Sequence, residues 1–173
     1  MEMAARISAR APDDPAFDLL SLLRGAFEGI GLAKVSTSAE EARDLGYLRR
    51  SDSTSFAKET LVADAKQVAL GLARSGYRPP PPRQIRVAGR SAADTLQTAL
   101  YHLVHAHRAS EHDRKVVGKA AWVLCGGDLP AGSVASEQHF LDLEREAFLS
   151  LCGEEKTRAR IQHMLTSGKP LRN

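Results

Sequence analysis

Cysteine is scarce in this sequence. Only Cys125 and Cys152 occur in 173 residues, both in Ala- and Leu-rich helical sequence, which excludes a disulfide scaffold or a zinc ribbon and predicts reduced thiols. Long apolar runs are missing as well. No window approaches the roughly 20 apolar residues of a membrane span, and the opening MEMAARISARAPDD has no apolar centre of signal-peptide length. These absences predict a soluble, cytoplasmic protein with no membrane partner. A charge excess is also lacking: 24 Lys plus Arg against 21 Asp plus Glu leave a formal charge of +3, short of the basic surface that nucleic-acid binding usually needs. Aromatics are few, with five Phe, three Tyr and Trp122 sharing the interior with many Ala and Leu, a balance that favours packed helices over sheet.

What is present is enough for a core. Hydrophobic residues make up 43% of the chain, and the length predicts one domain, or one and a fraction. Leu20, Leu23, Phe27 and Ile30 share one face of an expected five-turn helix that Asp14 caps and Pro15 opens. Ser38 and Glu41 form a capping box for a short helix through Ala42, stopped by Gly46. Leu48 to Phe56 reads as a loop. From about Lys58 a wide apolar stripe of Leu61, Val62, Ala65, Val68, Ala69 and Leu72 marks the clearest helix, ended by Ser75 and Gly76.

Pro79 to Pro82 cannot continue a helix and favour the extended polyproline conformation, so a subdomain boundary is expected there. Beyond it, Ser91 is positioned to cap a helix bearing Leu96, Leu100 and Leu103, and Ser110 with Asp113 to open one bearing Val116, Val117, Ala120 and Leu124. Gly126 and Gly127 stop that helix. Ser136 caps the next, with Phe140, Leu141, Glu144, Phe148 and Leu151 at helical spacing and Gly153 at its end, and a last helix carries Ile161, Met164 and Leu165. No strand pair and no internal repeat is evident. The expected fold class is all-α.

Candidates for chemistry thin out on inspection. His102, His105, His107 and His112 invite a metal reading, with Glu111 and Asp113 nearby. But His107 faces away from His102, and His112 lies past a predicted helix break, so the expectation is scattered histidines and no metal site. Cys125 would need a neighbouring base to act as a nucleophile; apolar Val123 and Leu124 instead predict a buried structural thiol, and Cys152 reads the same way. The pair Gly126–Gly127 follows no strand, and no G-x-G-x-x-G or Walker pattern occurs. Arg78, Arg83, Arg86 and Arg90 form one basic run, and Lys156, Arg158, Arg160, Lys169 and Arg172 another. Either could receive the phosphates of an acyl-carrier nucleotide, against the plainer reading of a solvated or interdomain face. No catalytic, cofactor-binding or metal residue is assigned.

Three separated segments carry a family resemblance. AFEGIGLAKVSTSAEEARDLGYLRRSD, LCGGDLPAGSVASEQHFLDLEREAFLSL and RIQHMLTSGKPLRN, in that order, resemble the C-terminal part of bacterial multidomain 3-hydroxyacyl-CoA dehydrogenases. In that family of fatty-acid β-oxidation enzymes, NAD-dependent dehydrogenase domains precede a crotonase-like (enoyl-CoA hydratase/isomerase) domain and a helical C-terminal extension. EMAAR and STSAEEARDLGYL are similar to late segments of a crotonase domain. The resemblance implies three parts: residues 1–78 as the C-terminal helical third of a crotonase-like domain, 79–90 as a Pro/Arg-rich linker, and 91–173 as a helical extension. It also implies that the oxyanion-hole amides, the acid/base glutamates, the NAD-binding loop and the catalytic histidine belong to segments upstream of this one. NAD and CoA esters are then cofactors of the whole family and not of this chain. Only His112-Asp113 looks typical within the His-rich stretch.

Two readings follow. In the first, the chain completes an acyl-CoA domain and makes subunit contacts, as a homo-oligomer or docked on upstream crotonase and dehydrogenase domains, because uncovered apolar helix faces need a partner. In the second, it is an independent helical interaction module without enzymatic activity. An autonomous small enzyme is the least expected reading.

Overall fold

The computed structural model describes residues 1–14 and 17–173. Eight helices and two three-residue strands occur among them, so the chain is mostly helical. Two compact units are present: Met1–Val35 together with Arg83–Asn173, and Ser36–Pro82. These units do not follow the linear order of segments. The first 35 residues pack with the second half of the chain, and the stretch ending at Pro82 forms a body of its own.

The larger unit starts with α1 (Glu2–Arg10), which buries Ala4, Ala5 and Ile7. No helix was expected there, because nine residues with one large aliphatic side chain give too few turns for a clear period. Next comes α2 (Leu20–Gly31), shorter than the predicted five turns. The place given to Pro15 lies outside the described residues. Asp18, rather than Asp14, accepts the Leu20 amide at 2.9 Å, so the helix starts later than the Asp-Pro signal suggests. Leu20, Leu23 and Phe27 are buried, whereas Ile30 is exposed.

After the proline run, β1 (Gln84–Arg86) pairs antiparallel with β2 (Val134–Ser136), with Ile85 opposite Ala135. This pair corrects the expectation of no strand pairing. Three residues are too short to show a period of two, and the partners lie some fifty positions apart, so neither hydrophobic alternation nor a turn motif announces them. Between them run α5 (Gly89–His105) and α6 (Glu111–Leu124), followed by α7 (Glu137–Cys152) and α8 (Glu155–Ser167). The helices of the larger unit pack α1 on α2, α2 and α5 on α6, and α6 on α7, while β1 lies against α1.

Ser91 does not cap α5. The helix begins at Gly89, whose φ of +78° is in the left-handed region. The first amides find tertiary partners instead: Gly89 N–H donates to the Cys125 carbonyl at 2.9 Å and Arg90 N–H to the Leu129 carbonyl at 3.2 Å. Those bonds satisfy the helix start without a side-chain cap. At α6 the expected box is present, with Ser110 Oγ accepting the Asp113 amide and Asp113 accepting the Ser110 amide. Ser136 caps α7 through the His139 amide. On α7 the buried positions are Phe140, Leu143 and Ala147, while Leu141 and Phe148 are exposed. Phe140 faces inward as predicted, but Leu143 and Ala147 are buried in place of Glu144 and Phe148, one residue and about 100° away.

The smaller unit holds α3 (Ala39–Asp44) and α4 (Leu61–Arg74). Ser38 accepts the Glu41 amide as predicted. The Glu41 carboxylate, however, reaches one residue past the box to the Thr37 amide and hydroxyl, both at 2.6 Å. Those hydrogen bonds hold its pKa below the usual carboxylate value. Gly46 takes φ +79°, as its stop role requires. Arg43 ties the loop down by donating to the Asp52 carbonyl and Thr54 Oγ1. No residue of α4 is buried. Its Leu61, Val62, Val68 and Leu72 are exposed, Val62 at 81%. Ala42 is the one buried apolar side chain of this unit.

Candidate functional site

An open groove of about 900 Å³ runs along α6 in the larger unit. Helix α6 supplies its floor, with Glu111, Lys115, Gly118, Lys119 and Trp122 recurring every three or four residues on one face. Gln97 of α5 and Glu146 of α7 form the walls, and Glu154, Glu155 and Lys156 close it at the start of α8. Gly118 leaves a shallow place in the floor: a Cβ there would stand 3.1 Å from Gln97 Oε1. At one end the Lys119 ammonium lies 5.5 Å from the Trp122 ring centre, within cation–π range. Asp128 faces the Trp122 indole N–H at 3.4 Å.

Charge in the groove is balanced. Arg114, Lys115, Lys119 and Lys156 stand against Glu111, Asp128, Glu146, Glu154 and Glu155. Lys115 and Glu154 pair at 2.8 Å, and that bond holds the Glu154 carboxyl below its usual pKa. Such a lining lacks the uniform positive field that recruits phosphates. It also lacks a nucleophile beside a base. The groove residues outside the His stretch and the basic runs carry no sequence signal that separates them from an ordinary solvated helix face.

His112 is the one buried polar side chain of the described residues, 4% exposed. Its Nε2 lies 3.0 Å from Thr157 Oγ1 of α8. Burial, with help from Arg160, Lys156 and Lys115, pushes its pKa down against the opposing pull of Glu154. The other histidines go elsewhere. His105 stacks on Tyr101 with ring centres 3.9 Å apart and donates through Nδ1 to the Tyr101 carbonyl. His102 meets Tyr101 edge-on. His107 occupies the turn after α5, at φ +54°. Among the described residues no three His, Cys, Asp or Glu side chains are placed to hold a metal ion.

The basic runs are largely consumed by packing. Arg83 is gripped by Glu2 and Glu137, which raise its pKa above the ordinary arginine value. Arg86 donates to the Asp14 and Pro12 carbonyls at 2.9 and 2.6 Å. Arg90 stands 3.9 Å from Asp128, and Arg78 belongs to the smaller unit. In the second run, Arg158 donates to the Cys152 and Gly153 carbonyls, where a cation suits the C-terminal end of α7. Arg160 pairs with Asp113 at 2.7 Å and donates to Asn173 Oδ1 at the same distance. Lys156 lines the groove, and Lys169 and Arg172 are exposed.

Cys125 is fully buried, and burial pushes its thiol pKa up to about 12. Cys152, expected to be buried, is only half-buried. A thiol raised that far is protonated at neutral pH and unreactive. A disulfide reagent at neutral pH is therefore expected to label Cys152 and to reach Cys125 only after denaturant is added. Mass spectrometry of the labelled peptides checks this, and rapid native labelling of Cys125 would contradict it.

No family model matches the chain, and no solved structure matches it. A relative does. Over 156 residues, 90% of this chain, the sequence is 43% identical to a protein of Bacillus subtilis (strain 168) named probable 3-hydroxyacyl-CoA dehydrogenase. This chain matches one part of such a protein. The aligned part makes up 20% of the relative's own length, so the chain spans about a fifth of the protein it resembles. No helix among the described residues is long and apolar enough to cross a membrane.

Proposed function

We propose that this chain is the non-catalytic helical portion of a fatty-acid β-oxidation protein of the 3-hydroxyacyl-CoA dehydrogenase type, joining a crotonase-like domain end to a helical extension. Its work is to complete and hold the acyl-CoA-handling domains. The observation that carries this reading is the match itself: nine-tenths of the chain aligns at 43% identity with a fifth of a much longer dehydrogenase. One feature of the chain supports it: the apolar face of α4 has no covering layer in its own unit. An apolar helix face left in water costs about 25 cal/mol for each Å² that a partner would cover, so the remaining domains of a longer protein are the fitting occupant. NAD and the CoA ester then bind to those domains.

The test uses the Bacillus relative with its matching fifth deleted. Adding this chain to that protein is expected to slow hydrogen exchange across residues 61–74 and to yield a complex by size-exclusion chromatography with light scattering. Leu61→Asp combined with Val68→Asp should abolish both effects. The chain alone is expected to show no NAD reduction with a 3-hydroxyacyl-CoA. Turnover by the purified chain, or exchange in α4 that stays fast in the mixture, would overturn the proposal.

A further inference from the structure

Helix α8 buries none of its own side chains. Ile161, Met164 and Leu165, its large apolar side chains, are exposed. It packs on the preceding helix α7, and polar contacts fasten it to α6: His112 to Thr157, Asp113 to Arg160, and Lys115 to Glu154 just before α8. Of the residues making them, only His112 is itself buried, at 4% exposed, while Thr157 opposite it is half-buried. A helix fastened in this way has little hydrophobic stabilisation to resist a change of charge at its attachment.

We propose that His112 is a pH-sensitive latch, and that its protonation in the mildly acidic range releases α8 from α6. The groups facing His112 decide the direction. From α6 come Asp113 and Lys115; from α8 and its entry come Glu154, Lys156 and Arg160; Glu146 of α7 lies along the same groove. Glu154 is already occupied by Lys115, and Asp113 by Arg160 and the Ser110 amide. An imidazolium at position 112 would thus add positive charge beside Lys156 where Asp113 and Glu154 are already paired with Arg160 and Lys115, on a side chain that is only 4% exposed and lines the open groove.

With α8 docked, burial and the neighbouring cations disfavour the proton on His112; with α8 released, the imidazole returns to water and its usual value near 6.5. The released form therefore binds more protons below that value, and docking is complete above it and weakens as the pH falls. The two carboxylates do not interfere. Burial raises the Asp113 pKa, but hydrogen bonds from Ser110 and Arg160 outweigh it and keep the group below the ordinary range, and Glu154 is held low as well. Between neutrality and the carboxylate range, His112 is the group at this contact that changes charge.

Hydrogen exchange on the whole chain, corrected for intrinsic rates, tests this at about pH 7.5 and about pH 5.5. Protection across residues 157–167 is expected to drop several-fold at the lower pH, with protection in α5 unchanged. His112→Gln keeps a hydrogen-bonding side chain that cannot titrate, and should make α8 protection independent of pH. A proton NMR titration of the unmodified chain needs no variant: the His112 ring signal and the α8 amide signals should share one midpoint below 6.5. Equal α8 protection at both pH values, a drop that persists in His112→Gln, or two separate midpoints would overturn the latch.

Discussion

Phe140→Ala is expected to lower the stability of the larger unit by about 3–5 kcal/mol, the usual cost of emptying an aromatic site in a packed core. Phe140 is 0% exposed and sits in the cluster that α1, α2, the strand pair, α5 and α6 build together. No single element can close over the space its ring leaves. Phe148, on the same helix but 60% exposed, supplies the control, because Phe148→Ala should change stability by only about 0.5 kcal/mol. Trp122 lies in the larger unit and reports on it alone. Urea titrations followed by its fluorescence should show a strongly lowered midpoint for the first variant and a near-native one for the second. Equal midpoints would mean that α7 packs through a different face.

Gly89→Ala is the second large effect, expected at about 2–5 kcal/mol from a left-handed backbone and an overpacked contact combined. At φ +78°, a Cβ on residue 89 would stand 2.4 Å from the Ala131 nitrogen and 2.7 Å from its Cα. Those are backbone atoms, so no side chain can rotate away. The same change at Gly132 separates the two causes. Its φ is +79°, yet nothing lies within 4 Å of the added atom, and the cost there should be only the backbone part, about 1–2 kcal/mol. Chemical denaturation of both variants decides the matter, and equal losses would show that the close approach of Ala131 contributes nothing. Residues 89 and 90 donate the two hydrogen bonds that start α5, so α5 amide exchange should quicken in Gly89→Ala and stay native in Gly132→Ala.

Local signals in the sequence were read well where they are self-contained. Ser38, Ser110 and Ser136, each read as a helix cap, all accept the amide three residues on. Gly46, Gly76, Gly126 and Gly127 take the positive φ that suits the end of a helix. Each of these arrangements closes within five residues, so the chain carries all of its parts together. Where the partner is distant, the reading failed. Ser91 has the right chemistry for a cap, but Gly89 already satisfies the helix start through Cys125 and Leu129. The strand pair joins residues 84–86 to 134–136, and nothing local marks either half.

The candidate site was less legible than the fold. The two basic runs look alike in sequence, yet Arg83, Arg86, Arg158 and Arg160 are each committed to carboxylates or carbonyls. His112 and His105 are equally polar residues in the same stretch. One is buried against Thr157 and the other lies on the surface beside Tyr101. Residue type and spacing cannot distinguish them, because burial depends on which helix arrives opposite.

By itself the sequence determined that the chain is mostly helical, where most of those helices stop, and which proteins it resembles. Those properties follow from composition, capping chemistry and aligned identity, all of which act along the chain. The tertiary structure decided the rest: that residues 1–35 share a body with 83–173, that Phe140 and not Phe148 faces the core, that the stripe of α4 stays uncovered in its own unit, and that His112 becomes the buried contact of α8. Each depends on contacts between residues far apart in sequence, and a period of 3.6 residues fixes a stripe on a helix without fixing what that stripe will meet.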